Sequence, residues 1–120
     1  MKNFLLILIV GASHVWGYCW QAGQNPGWAG PPKVSQRSMD TVRVNWAGMV
    51  TKRECTDNFV VKYWPISSPA NYHITELVDP SINFVDIKIT PKIDYNYQVN
   101  LIFQGKKISI IQLKICSGCC

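Results

Sequence analysis

After Lys33 the chain alternates apolar and polar residues with a period of two. Val42, Val44 and Trp46 alternate with Arg43 and Asn45, and Phe59, Val61 and Tyr63 with Val60, Lys62 and Trp64. Val85, Ile87 and Ile89 alternate with Asp86 and Lys88. Tyr95, Tyr97, Val99, Leu101 and Phe103 alternate with Asn96, Gln98, Asn100 and Ile102. Successive side chains of a strand point to opposite faces, so each run sets an apolar face against a mostly polar one. Gly48, Pro65 with Ser67-Ser68-Pro69, Asp79-Pro80, Pro91 and Gly105 interrupt the runs, and such residues favour turns. Gln104-Gly105-Lys106-Lys107 reads as a hairpin turn into a last strand, Ile108 to Ile115, apolar on both faces because Ile110 adjoins Ile111. No segment carries a helical period, a repeat or low complexity. Short strands with regular turn signals predict an all-β, antiparallel sandwich or barrel.

The N-terminus reads differently. Residues 1–17 have the form of a signal peptide: a basic start at Lys2, an apolar run from Phe4 to Val10, and a small-residue exit with cleavage after Gly17. A membrane anchor needs about 20 apolar residues, and Ser13 and His14 interrupt this run. No later stretch is long and apolar enough to span, so the expectation is a secreted, extracellular chain without a membrane span. Residues 18–30 form an arm whose glycines and prolines argue against helix and regular strand. Residues 31–115 form the domain, and residues 116–120 a cysteine-rich tail.

Charge narrows the partner classes. Twelve Lys and Arg stand against seven Asp and Glu, a net charge of +5 that becomes +4 once Lys2 leaves with the signal. The cations are dispersed, with only Lys52-Arg53 and Lys106-Lys107 adjacent. Dispersed charge of this size marks a solvated surface rather than a nucleic-acid partner, and leaves acidic polysaccharide as a weak ligand. No Asn-x-Ser/Thr sequon occurs.

Four segments, in order, resemble a fibronectin type III domain over residues 31–115. Pro31-Pro32-x-Val34 resembles that family's first strand, Val42-x-Val44-x-Trp46 its second, and Phe59-x-Val61-x-Tyr63 its third. Ile89-x-Pro91-x-Ile93-x-Tyr95-x-Tyr97-x-Val99 is similar to its Leu-x-Pro-x-Thr-x-Tyr-x-Val signature. The resemblance implies a two-sheet sandwich of about seven strands. In it Trp46, Tyr63 and Pro91 are signature core positions and Tyr95 is the corner tyrosine bonding back to the backbone. Arg-Gly-Asp is absent, and the Cys116-Ser-Gly-Cys119-Cys120 ending is not a feature of the family.

The same topology bears on the cysteines, of which there are five. In an oxidising compartment disulfides are the default, and an odd number leaves one thiol over. The family's topology brings the arm to the pole where the loop from Ala47 to Asn58 sits, which favours a Cys19–Cys55 bridge of about 3–4 kcal/mol. Cys116, Cys119 and Cys120 have three readings: an internal plus an intermolecular bridge giving a disulfide-linked oligomer, a metal site, or incidental thiols. Zinc needs four ligands and no His or Cys cluster complements the tail, so no metal and no cofactor is expected.

Catalytic residues are not expected either. His73 is the only histidine beyond the signal, without a nucleophile motif nearby, and the acidic residues are scattered singly. The candidate binding residues are Trp20 and Trp28 in the arm, Lys52 and Arg53 in the long loop, and Lys62 and Trp64 on the third strand. Large amphipathic rings dominate interface hot spots; the competing reading folds the arm back and packs its tryptophans on the sandwich. Replacing Lys52 and Arg53 by alanine is expected to weaken partner capture and leave the melting temperature unchanged. The leading function is therefore extracellular protein binding without catalysis. Carbohydrate binding through Trp20, Trp28 and Trp64, or a disulfide-linked structural role, are the alternatives.

Overall fold

The computed structural model describes residues 19–21 and 23–114. Its strands in chain order are β1 (Gly27–Trp28), β2 (Lys33–Ser38), β3 (Thr41–Asn45), β4 (Val50–Thr51), β5 (Asn58–Pro65), β6 (His73–Ile74), β7 (Phe84–Lys88), β8 (Tyr95–Phe103) and β9 (Lys106–Lys114). Seven of them build two antiparallel sheets, ordered β2-β3-β7 and β6-β5-β8-β9, while β1 pairs only with β4. This is the expected sandwich.

Period-two alternation places Val42, Val44 and Ile87 of one sheet against Phe59, Val61, Tyr97, Val99 and Leu101 of the other, all buried. Trp46, fully buried where β3 ends, packs 5.0 Å from the Phe59 ring, and its Nε1 donates to Ile82 O at 3.1 Å. The indole thus joins both sheets while its polar atom stays satisfied; truncating such a ring typically costs about 3–5 kcal/mol. Tyr95 is buried, and its Oη accepts from Thr90 N at 3.2 Å, closing the corner that enters β8.

The last strand's register, ambiguous in its apolar text, follows from the hairpin. Gln104 (φ 52°) and Gly105 (φ 76°) are both left-handed. That makes a two-residue type I′ turn, whose twist matches the strands it joins. It pairs Phe103 with Lys106, Val99 with Ile110 and Gln98 with Ile111. Ile110 therefore faces the core with Val99, and Ile111 faces outward with Gln98.

Three expectations are corrected. The arm supplies a short strand after all, because Ala29 N donates to Met49 O at 2.8 Å beside the β1–β4 pair; Cys19 and Trp20 are helical. The long loop holds β4 and a 3-10 turn, Arg53–Cys55. His73, outside every strand expected from the alternation, lies in β6 opposite Tyr63. Local glycine and proline content signals none of these, since each is held by contacts to distant residues. The expected signal, residues 1–17, and Cys116, Cys119 and Cys120 lie outside the described residues.

Candidate functional site

The outward face of the four-stranded sheet gathers the residues best suited to recognition. On β5 and β8 the register sets Lys62 beside Gln98, Trp64 beside Asn96 and Val60 beside Asn100. Ile74 of β6 lies across from Lys62, and Ile111 of β9 beyond Gln98. A lateral row therefore runs Ile74, Lys62, Gln98, Ile111. After β5 the chain turns through Pro65, with Ser68 N donating to Pro65 O and Asn71 N to Ser68 O. That turn returns Tyr72 over the sheet.

Lys62 organises the patch. Its ammonium lies 4.3 Å from the centroid of the Tyr72 ring and 5.6 Å from that of Trp64. Each such contact is worth about 0.5–1 kcal/mol when exposed, which biases the two rings toward the cation. Tyr72 is 50% and Ile74 52% exposed, and Trp64 and Gln98 are half-buried. Nearby, Asn100 is buried and its Oδ1 accepts from Ser109 Oγ at 2.5 Å. Asn96 Oδ1, next to Trp64 in the register, is buried without a partner. Aromatic rings, an aliphatic residue and a cation bordered by carboxamides make an amphipathic surface of the hot-spot kind.

The long loop behaves otherwise. Arg53 donates from Nε and Nη2 to Pro80 O at 3.0 and 2.7 Å, from Nη2 to Ile82 O at 2.7 Å, and from Nη1 to Asn83 Oδ1 at 2.5 Å. Its guanidinium also lies 5.3 Å from the Phe59 centroid. Arg53 is thus turned inward onto the loop before β7, and its loss is expected to lower the melting temperature. That corrects the expectation of an unchanged one. Lys52 precedes it in the left-handed region at φ 51°.

Cys19 and Cys55 are bonded, with Cα atoms 5.4 Å apart, and tether the arm at this pole. Beside the bond, Trp20, Glu54, Thr56, Asp57, Phe103 and Gln104 line a shallow groove of about 340 Å³. Trp20 is 66% exposed. Trp28 is half-buried, its ring 6.2 Å from Phe59 and its Nε1 donating to Ile108 O at 2.9 Å. Trp20 neighbours Phe103 in the groove, while Trp64 pairs with Asn96 at the other end of β8. That is seven residues along a strand, on the order of 23 Å. The three tryptophans do not form one surface. Tyr72 and Ile74 were not singled out from sequence, because the turn after β5 and the two-residue β6 are too short to show a period, and Asn96 read only as one polar position of β8.

Charge on the other sheet is paired. Arg43 and Asp86 form a salt bridge at 2.8 Å, which holds the Asp86 carboxyl below its ordinary pKa and raises that of Arg43. His73 stacks on Tyr63 with centroids 5.2 Å apart. Burial raises the Tyr63 phenol, reinforced by Tyr95. Among the described residues no three His, Cys, Asp or Glu side chains come together as metal ligands, and no helix is long and apolar enough to cross a membrane.

No family model matches the chain, and no curated protein matches it in sequence. Solved structures do resemble it in shape. The fn3 domain of the human collagen alpha-1(XX) chain is 13% identical at a TM-score of 0.60, covering 81% of this chain and 89% of that one. A two-domain fibronectin type III segment of chicken tenascin is 22% identical at a TM-score of 0.56, covering 73% of this chain and 50% of that one. The FN1–FN3 segment of chicken CNTN1 is 18% identical at 0.52, covering 69% of this chain and 31% of that one. At such identities the likeness is one of fold.

Proposed function

We propose that this chain, a sandwich with the fibronectin type III fold, is a secreted, non-catalytic module that binds a protein partner through the outward face of its four-stranded sheet. The observation that carries the reading is the Lys62 ammonium held between the rings of Tyr72 and Trp64, with Ile74 half exposed alongside. A surface on which two aromatic rings already gather about a cation has part of its ordering done before it enters a complex. The Cys19–Cys55 bond and the apolar run of residues 4–10 support an extracellular setting. Fold by itself assigns no function, so the reading rests on this surface.

The test is capture from the extracellular medium of producing cells, using the wild-type chain and a Lys62→Ala/Tyr72→Ala double variant as baits. A partner retained by the first and lost from the second, with the variant still unfolding cooperatively, supports the reading. The same set of proteins on both baits would remove this face from consideration.

A further inference from the structure

The outer edge of β9 is the longest regular strand edge without a paired strand among the described residues, although β2 approaches it and Trp28 Nε1 donates to Ile108 O. Other edges are short or irregular. β6 has two residues, β7 has five, and β2 carries a register break between Gln36 and Ser38. Those are the devices that keep an edge from recruiting another strand. β9 runs nine residues in unbroken register with β8 and contains no proline.

Its backbone groups alternate in direction. The type I′ turn makes Phe103 and Lys106 a mutually hydrogen-bonded pair, so Lys106, Ile108 and Ile110 direct N–H and C=O toward β8. β8 gives the same answer independently. Asp57 N donates to Ile102 O at 2.9 Å, which turns Ile102 toward β5 and hence Leu101 and Phe103 toward β9. Lys107, Ser109 and Ile111 therefore direct their backbone groups outward, where no described strand pairs with them. Apolar surface flanks that row on both faces: Ile108 and Ile110 point inward yet are only half-buried, and Ile111 is 55% exposed on the outward face.

Charge identifies the occupant. Lys106 and Lys107, both exposed, stand at the hairpin end of β9, where Asp57 Oδ2 accepts from Gln104 N at 2.9 Å and leaves two cations to one carboxylate. We propose that β9 adds an extended segment of a partner protein as a further strand, with aliphatic residues at alternate central positions and carboxylates at the end that meets Lys106 and Lys107. Backbone bonds to Lys107, Ser109 and Ile111 would supply affinity, and the lysines orientation. This deepens the protein-binding reading but uses the sheet edge, which shares only Ile111 with the Lys62 face, so the Lys62→Ala/Tyr72→Ala variant should bind such a segment unchanged.

The probe is a synthetic peptide as long as β9, alternating valine and threonine with paired glutamates at one end, titrated by fluorescence anisotropy into the full chain with its disulfide intact. Two further peptides carry N-methyl groups on alternate amides, in complementary sets. Because a strand turns only every second amide to its neighbour, one methylated peptide should lose binding and the other keep it. NMR shifts should centre on Lys107, Ser109 and Ile111, and Lys106→Glu with Lys107→Glu should weaken binding about tenfold. Any of the following overturns the proposal: no binding, equal binding of the two methylated peptides, shifts confined to the Lys62–Trp64 face, or self-association through β9 that excludes the peptide.

Discussion

Replacing Arg53 with alanine opens the junction between the long loop and the segment before β7. The guanidinium satisfies three acceptors on three residues, Pro80 O, Ile82 O and Asn83 Oδ1. A hydrogen bond to a charged donor contributes about 1.5–3 kcal/mol net. Arg53 is half-buried and its bonds share one side chain, so they do not add in full. We expect a loss of about 2–3 kcal/mol, allowing for partial rehydration of the carbonyls. For a domain of this size that is roughly 10–20 °C in melting temperature. Ile82 O keeps the bond from Trp46 Nε1, so the core indole stays satisfied and the fold survives. Arg53→Lys places one nitrogen where three acceptors need a planar fork, and should recover less than half of the loss. The assay is thermal and urea unfolding with the disulfide intact, followed by circular dichroism. A shift below about 4 °C for Arg53→Ala, or full recovery by lysine, would refute the clamp.

Other perturbations follow from the same structure. The Cys19→Ala/Cys55→Ala double variant frees a loop of sequence separation 36; chain entropy then predicts a loss of about 3–4 kcal/mol in urea unfolding, and equal stability with and without the bond would contradict it. Gln104→Asn puts the residue a type I′ turn prefers at φ 52°, so melting should rise by a few degrees, about 0.5 kcal/mol; a fall would mean the turn is of another type. Asp86 is depressed first by its hydrogen bond to Arg43, so its stabilisation is present above the ordinary value of 3.8 and lost as pH falls through its lower folded value. Asp86→Asn should therefore flatten part of the acid limb of a stability–pH curve and leave its shape unchanged at neutral pH. An unchanged acid limb would show that the pair makes no contribution.

The alternation of Val42, Val44 and Trp46, and of Tyr95 through Phe103, was legible from residue types alone, because a strand with one buried face must repeat every second residue. Trp46 and Tyr95 could be placed for the same reason. Val60 shows where the rule stops: it sits on the outward face yet is buried, since burial there depends on neighbouring strands that its own run does not encode. Register is the clearer case. Ile110 and Ile111 are interchangeable as text, and only the turn at Gln104-Gly105 assigns one to the core and the other to the surface.

The candidate site depended still more on tertiary structure. From sequence, Arg53 and Lys62 were equivalent candidate binding cations. Folding turned the first inward onto three acceptors 27 to 30 residues away and left the second between two exposed rings. Local pattern determined which residues form strands and which face each strand buries, because that information is carried by near neighbours. Which cation is structural, which aromatic meets solvent and which strand edge stays open were decided by contacts across the chain, and such long-range pairings leave no periodic trace in the sequence.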